Sequence, residues 1–501
     1  MAAHPSAARK RTASWRLLDA NGPPPPAKRI KTHPAFHHTL CLPPHPNNIR
    51  PLGNAYFSAI PSCRDPGLGS IRLLPDALLV TLLCHMYLPA RTLCRLAQTS
   101  QAWYAFALSD DLWRHMYIRD YAARPFRFDR NWRCTYAHAY RHILPSSKPL
   151  VLAPTPLKLR GMFSDILYTP HLYSSIPLSA ICGIATETVD RRADLSVSHF
   201  VTEYGIPNKP VILTAVVPHW PAFVKWDLPY LQRKCGDRLL RAEAIHLTMH
   251  DYLHYSQQCH EESPLYLFDK HVAHSLVDDY TVPPPFADDM LLLLADKRPD
   301  HTWLIVGPAR SGSTFHVDPN CTSAYNAVIR GAKKWLLYPP GTIPPGVFVS
   351  DDGSEVTSPL SVTEWFVNFY TQAINSAVKP LECVCRAGEV LFVPHGWFHL
   401  VINLEPSIAI TSNFTPSYSL PTVLRWLKDR PDQVSGYRGH DLYSDFVDAV
   451  KRKRPDLLPF HTSTNHGTAP LTSHHDDNTW QSSDSTRQFK FDFSNPDHTD
   501  D

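Results

Sequence analysis

Residues Trp303–Pro340, WLIVGPARSGSTFHVDPNCTSAYNAVIRGAKKWLLYPP, decide how the chain is read. Apolar, β-forming runs alternate here with turn residues, and His316 and Asp318 stand one residue apart between two such runs. In extended backbone alternate side chains share a face, so an imidazole and a carboxylate at i and i+2 can grip one ion from one side. A second histidine must come from another strand. The stretch GEVLFVPHGWFHLVINL, Gly388–Leu404, offers two. His395 follows Pro394 directly and reads as part of a turn, whereas His399 lies inside a β-run and is the better placed.

His316, Asp318 and His399 would supply two nitrogens and one anionic oxygen and leave coordination positions open. That donor set marks non-haem Fe(II) oxygenases. An H-x-D pair carries little weight alone in a chain with 28 histidines; its setting between β-runs gives it meaning. Ser323 to Tyr338 reads as two strands around Arg330-Gly331, a two-residue hairpin loop that pairs Ile329 with Ala332. That register pairs Val328 with Lys333 and Asn326 with Trp335, so these four side chains project together. A lysine pointing into a barrel must find an anion, because an unpaired buried ammonium costs roughly several kcal/mol. A dicarboxylate would supply it. Lys334 points outward in the same register, as a surface lysine. In SIAITSNF, Ser407–Phe414, alternation puts Ala409, Thr411 and Asn413 on one face, where the Thr411 hydroxyl can reach the same anion.

The 501 residues allow one large domain and a smaller one, and a hydrophobic content of 43% supplies a core. Lys+Arg 49 against Asp+Glu 46 gives no global field of the kind that marks a nucleic-acid binder, which leaves direct nucleic-acid contact open. Pro 48 against Gly 19 points to Pro-rich rather than Gly-rich linkers. The 11 cysteines are odd in number and form no C-x-x-C, which fits a reducing compartment. No apolar signal-peptide core and no clean apolar run of roughly 18 residues is present. A soluble intracellular protein, away from membranes, is expected.

Five segments are expected. Residues 1–65 read as a disordered Pro-rich tail with two basic clusters, Arg9-Lys10-Arg11 and Lys28-Arg29-Ile30-Lys31. A split pair of this kind resembles a bipartite nuclear-import signal, so the nucleus, with the cytoplasm also open, is the expected location. Residues 66–125 read as a small helical unit. Leu74, Leu78, Leu79, Leu82, Leu83 and Met86 recur at helical steps, Pro89 opens a second helix, and Ser109 caps a third. Residues 126–190 read as a linker, 191–455 as the β-domain with terminal helices, and 456–501 as a disordered polar tail. His474-His475-Asp476-Asp477 in that tail read as solvated rather than metal-binding.

The run Leu74–Trp113, LPDALLVTLLCHMYLPARTLCRLAQTSQAWYAFALSDDLW, resembles an F-box. The resemblance implies docking to a Skp-type adaptor of a cullin–RING ubiquitin ligase. His316-Val317-Asp318-Pro319, TSAYNAVIRGAKKW and FVPHGWFHLVINLEPSIAITSNF resemble the JmjC domain. They are closest to the branch of the bifunctional lysyl hydroxylase and arginine demethylase once described as a phosphatidylserine receptor; SPLYLFD and DDYTVPPPFADD fit it too. The likeness runs from about Asp194 to Phe414. It implies a mainly β fold, a double-stranded β-helix of the cupin or jelly-roll type with flanking helices, using Fe(II) and 2-oxoglutarate. By motif position it makes His316, Asp318 and His399 the catalytic iron ligands, and Asn326, Lys333, Thr411 and Tyr266 contacts of 2-oxoglutarate. Ser313 stands where the family has a threonine beside the co-substrate, so a hydroxyl is retained.

The implied activity is that of a dioxygenase hydroxylating or N-demethylating lysine or arginine side chains of basic nuclear proteins, histones or splicing factors among them. The competing expectation is a ubiquitin-ligase substrate adaptor that uses the JmjC fold for recognition. An oxygenase acting on RNA or a ribosomal protein is a third. Relatives often pair through C-terminal helices, so Leu424, Leu427 and Val447 are candidate homodimer contacts.

Overall fold

The structure is a computed structural model that describes residues 42–143, 145, 148–150, 155–182 and 187–458. The two basic clusters and the His474–Asp477 run lie outside the described residues. Among the described residues no single helix is long and apolar enough to cross a membrane.

The strands are β1 (Asp190–Arg192), β2 (Val211–Leu213), β3 (Leu240–Ala242), β4 (Ile245–Leu247), β5 (Leu267–Asp269), β6 (Thr302–Gly307), β7 (Gly312–His316), β8 (Ser323–Arg330) and β9 (Ala332–Tyr338). A short hairpin of β10 (Phe348–Val349) and β11 (Val356–Thr357) precedes β12 (Leu381–Arg386), β13 (Val390–Val393), β14 (Phe398–Asn403) and β15 (Ser407–Phe414). A large sheet runs in the order β1-β2-β13-β8-β15-β6-β5-β3-β4, and a smaller one in the order β12-β9-β14-β7.

Period-two alternation assigns each strand's faces. On β8, Tyr325, Ala327 and Ile329 pack outward with the helical layers, while Val328 meets Trp335, Leu337 and Val401 of the small sheet between the two sheets. On β9 and β14, Leu336, Tyr338, Leu400 and Ile402 pack outward beneath the helix Val362–Asn375. Each fully buried aliphatic side chain contributes about 1.5–3 kcal/mol, so an apolar layer on every sheet face fixes the register.

The expected hairpin is corrected. β8 pairs with β13 and β15, and β9 pairs with β12 and β14, so β8 and β9 belong to opposite sheets. Gly331, at φ +81°, turns the chain from one sheet to the other, and a Cβ there would meet the Pro406 carbonyl at 2.4 Å. Both strands still aim alternate residues into the space between the sheets. Asn326 and Lys333 therefore converge without being cross-strand neighbours. The second correction concerns Lys334. It does leave the interior, but it is 1% exposed, buried beneath the outer helices rather than on the surface.

Three stretches carry more structure than expected. Residues 42–65, assigned to a tail, pair with a segment about a hundred residues on: Asn48 Nδ2 donates to the Leu159 carbonyl at 2.8 Å, and Arg50 N to Met162 O at 3.0 Å. Local pattern cannot reveal a partner so distant in the chain. The expected linker holds the helices Trp132–Ile143, Asp165–Ser175 and Leu178–Cys182. Inside the β-domain, the helix Val362–Asn375 had a legible start signal, Ser361-x-x-Glu364. Ser361 Oγ accepts Glu364 N, and Glu364 Oε2 accepts Leu360 N.

The helical unit forms as expected, with helices Asp76–His85, Ala90–Leu96, Gln101–Ala107 and Asp110–Tyr121. Ser109 precedes the last of these but makes no side-chain cap; its hydroxyl donates to Phe106 O. This unit is not separately packed. Phe126, Phe128 and Trp132 cluster on Tyr255 of the β-domain, and one continuous core spans both. At the far end, Leu427 is buried in the chain's own core with Leu420, Val423 and Phe446.

Candidate active site

β7 and β14 are antiparallel neighbours, and their pairing sets His316 directly opposite His399, with ring centroids 4.2 Å apart. A β-bulge follows, with the extra residue in β7, so that Val401 faces Ser313. The extra residue lets Ser313 and His316, three positions apart, line the same cavity. Asp318 lies just past the end of β7, where Pro319 opens a turn of 3-10 helix. The ligand atoms of His316, Asp318 and His399 all lie within 4.8 Å of one another. His395 stays out of this group; its backbone N–H donates to Ser323 Oγ.

The electrostatics suit a cation. His316 Nδ1 lies 2.8 Å from Thr314 O, and His399 Nδ1 lies 3.0 Å from Trp397 O. A carbonyl can only accept, so each Nδ1 carries the proton and each Nε2 presents a lone pair. Burial holds both imidazoles down to about 4, so both are neutral at pH 7. Burial likewise pushes the Asp318 carboxyl up, and its Oδ2 is buried with no hydrogen-bond partner in the protein. Two neutral nitrogens and one orphaned carboxylate oxygen are the donor set Fe(II) takes in a three-ligand site.

Beside this group the cavity is lined by Tyr266, Phe268, Trp303, Ile305, Ser313, Asn326, Trp335, Val393, Val401, Thr411 and Asn413. Lys333 lies behind them, 0% exposed, with Nζ donating to Tyr266 Oη at 2.6 Å and riding 5.2 Å from the centre of that ring. Among the described residues no carboxylate stands within ion-pair distance of it, and burial lowers its ammonium to about 7. Thr411 is next to Asn326 across the β15–β8 ladder, and its hydroxyl donates to Tyr325 O at 3.0 Å. The structure thus gathers all eight residues expected from sequence around one cavity.

Asn403 escaped the sequence reading. It is 0% exposed, opposite Lys333 on the β14–β9 ladder, and its amide faces the Tyr266 hydroxyl. The signal was present, since 399, 401 and 403 alternate onto one face. Asn326 Oδ1, Trp335 Nε1 and Asn403 Oδ1 are all buried without a protein partner, as is Asp318 Oδ2. Unpaired buried polar atoms are rare in folded proteins, and three on residues that line one cavity, Asp318, Asn326 and Trp335, mark the seat of a polar ligand.

Residues 267–420 match the family described as "Cupin-like domain", and residues 71–119 match "F-box-like". The chain is 39% identical over 430 residues to the arginine-specific demethylase JMJ22 of Arabidopsis thaliana, covering 84% of each protein. It is 34% identical to the bifunctional arginine demethylase and lysyl-hydroxylase psr-1 of Caenorhabditis elegans, across 53% of this chain and 68% of that one. It is 30% identical to the 2-oxoglutarate and iron-dependent oxygenase JMJD4 of Homo sapiens, across 48% of this chain and 66% of that one.

Proposed function

The chain belongs to the JmjC family of iron- and 2-oxoglutarate-dependent oxygenases of cupin fold, and from that premise we propose that it hydroxylates or N-demethylates lysine or arginine side chains of basic nuclear proteins. The observation that carries this reading is the meeting of His316, Asp318 and His399 beside a buried lysine without a carboxylate partner. The activities for which JMJ22 and psr-1 are named, arginine demethylation and lysyl hydroxylation, support the choice of arginine and lysine. The basic clusters at Arg9–Arg11 and Lys28–Lys31 support the nucleus.

In this reading the two Nε2 atoms and the Asp318 carboxylate hold the iron. Lys333 and Tyr266 hold the far carboxylate of 2-oxoglutarate through charge-assisted hydrogen bonds. Asn326 can donate its Nδ2 to the ligand and Ser313 its hydroxyl, while Asn403, whose Nδ2 donates to Ser311 Oγ at 2.9 Å, stands behind Tyr266. Thr411 contributes once its hydroxyl rotates away from Tyr325 O. Bound iron and 2-oxoglutarate supply the oxidising chemistry: dioxygen and 2-oxoglutarate are consumed, a C–H bond becomes C–OH, and succinate and carbon dioxide leave. A hydroxyl placed on an N-methyl carbon collapses to formaldehyde and the free amine, so one site serves either outcome. Trp303, Trp335, Val393 and Val401 wall the cavity with apolar surface and exclude water.

The test is turnover. Purified protein with Fe(II), ascorbate, 2-oxoglutarate and methylated or unmodified basic peptides is expected to release succinate and to alter peptide mass by gain of oxygen or loss of methyl. Succinate at the level of a His316→Ala control, with every peptide, would end the proposal.

A second reading has its own observation. On the helix Asp76–His85 and at its end, Leu78, Leu82 and Met86 are 41%, 37% and 56% exposed at four-residue steps, while Leu79 and Leu83 are buried. That exposed stripe supports docking of a Skp-type adaptor on the F-box-like unit, alongside catalysis. Pull-down of such an adaptor by the full chain, lost on Leu78→Asp with Leu82→Asp, is the expected result.

A further inference from the structure

Tyr266 reaches Lys333 from a segment, Glu261–Leu267, that has little sheet pairing of its own; only Leu267 enters a strand. Side chains hold its backbone instead. The Tyr255 hydroxyl accepts Leu265 N at 2.8 Å, and the Tyr252 hydroxyl lies 2.9 Å from Leu265 O and 3.4 Å from Leu267 N. These grips flank Tyr266 on both sides. Their anchor lies in the helical unit. Arg114, on the helix Asp110–Tyr121, donates through Nη1 to Ser263 O and to Glu261 Oε2, both at 3.0 Å, and through Nη2 to Glu243 Oε2 at 2.8 Å. Glu261 Oε1 in turn accepts the Tyr255 hydroxyl at 3.0 Å, and the Glu243 carboxylate is stabilised by the Tyr266 backbone N–H. The guanidinium rests on the Trp132 ring, 5.4 Å from its centre. One side chain of the F-box-like unit therefore touches three groups that fix the path of residues 261–267.

We propose that Arg114, with Glu243 and Glu261, is a positioning brace through which the helical unit holds Tyr266, and so Lys333, in place for the far carboxylate of 2-oxoglutarate. The inference rests on Tyr266 and Lys333 being co-substrate contacts. It gives the F-box-like unit a task inside the oxygenase, independent of any adaptor. A lysine ammonium also has three donors, but it gathers them at one atom on a flexible stem and cannot reproduce the fixed spacing of the guanidinium fork. Misplacement of a binding group by about 1 Å is enough to lower affinity, so the brace acts through position and not through contact with the ligand.

The test uses the full chain with Mn(II) in place of iron under anaerobic conditions. 2-Oxoglutarate affinity is read by quenching of intrinsic tryptophan fluorescence, and KM and kcat are measured separately with iron. Glu243→Gln, which keeps shape and removes charge, and Arg114→Lys are each expected to weaken 2-oxoglutarate about three- to tenfold. KM should rise in step, kcat should stay within about twofold, and Mn(II) affinity should not move. Both effects should vanish in a Tyr266→Phe background. If Tyr266→Phe weakens 2-oxoglutarate and Glu243→Gln does not, the brace is refuted and the site reading survives. If neither substitution weakens it, the site reading falls and takes the brace with it.

Discussion

Lys333 and Lys334 are neighbours on β9, and both are buried, yet they live in opposite worlds. Lys334 faces the outer side of the small sheet. Its ammonium lies 3.0 Å from Glu382 and donates to Cys182 O at 2.6 Å, with the rings of Phe366 and Tyr370 at 5.7 and 5.5 Å. Tyr370 donates to Glu382 as well. Every charge there is matched. Lys333 faces the inner side, where its ammonium donates to the Tyr266 hydroxyl and, among the described residues, no carboxylate stands within ion-pair distance. The pair teaches that burial does not separate a structural lysine from a functional one; completeness of the surroundings does. The satisfied side holds the fold together, and the unsatisfied side awaits an anion.

That contrast can be broken experimentally, starting where the effect is greatest. His399→Ala removes a nitrogen from the interior group. Removing a mere outer partner of a metal ligand costs about 10–100-fold, so losing the ligand should cost at least about 10²-fold in succinate release, with the thermal melt nearly unchanged. Next, Lys333→Ala should weaken 2-oxoglutarate by on the order of 30-fold to 10³-fold, the cost of truncating one partner of a buried charge pair. Calorimetric titration would check it. Lys334→Ala should do the reverse: leave the buried Glu382 without its ion-pair partner, lower unfolding free energy by about 3–5 kcal/mol in a urea melt, and leave affinity in the folded fraction intact. Equal losses of affinity at 333 and 334 would erase the distinction.

The smallest effect sharpens the comparison through pH. Burial lowers the Lys333 ammonium from its ordinary 10.5 to about 7. A bound carboxylate would pull it back up, so binding above pH 7 requires uptake of a proton. Affinity for 2-oxoglutarate should therefore fall by about tenfold per pH unit above that point. The free protein's stability should respond in the opposite sense. The folded value lies below the unfolded one, so this group's contribution is complete above 10.5 and is lost as pH falls through about 7. An affinity flat from pH 7 to 9 would show that Lys333 is charged before the ligand arrives.

Much of this was legible in the chain. Alternation is local, and it set Lys333 with Trp335 on one face of its strand and Lys334 on the other, and Thr411 with Asn413 on one face of theirs; the hairpin register that joined Asn326 to Lys333 reached the right grouping through a pairing the fold does not make. The H-x-D spacing and a distant histidine in a β-run named the three metal-binding candidates, and the F-box-like helices announced themselves through leucine spacing and Pro89. Local pattern could not tell which strands would be neighbours. Arg330-Gly331 looks the same whether it closes a hairpin or carries the chain between sheets, because the choice depends on β12 to β15, some fifty to eighty residues on.

The sequence by itself determined the side-chain faces, the donor types and the helical unit, since each follows from backbone periodicity and residue chemistry. Only the tertiary structure decided that β8 and β9 lie in opposite sheets, that Lys334 is sealed against Glu382, and that Arg114 reaches across to Ser263. Those are contacts between segments far apart in the chain, and nothing local encodes which distant group will fill a given space when two sheets and their helices close on one another.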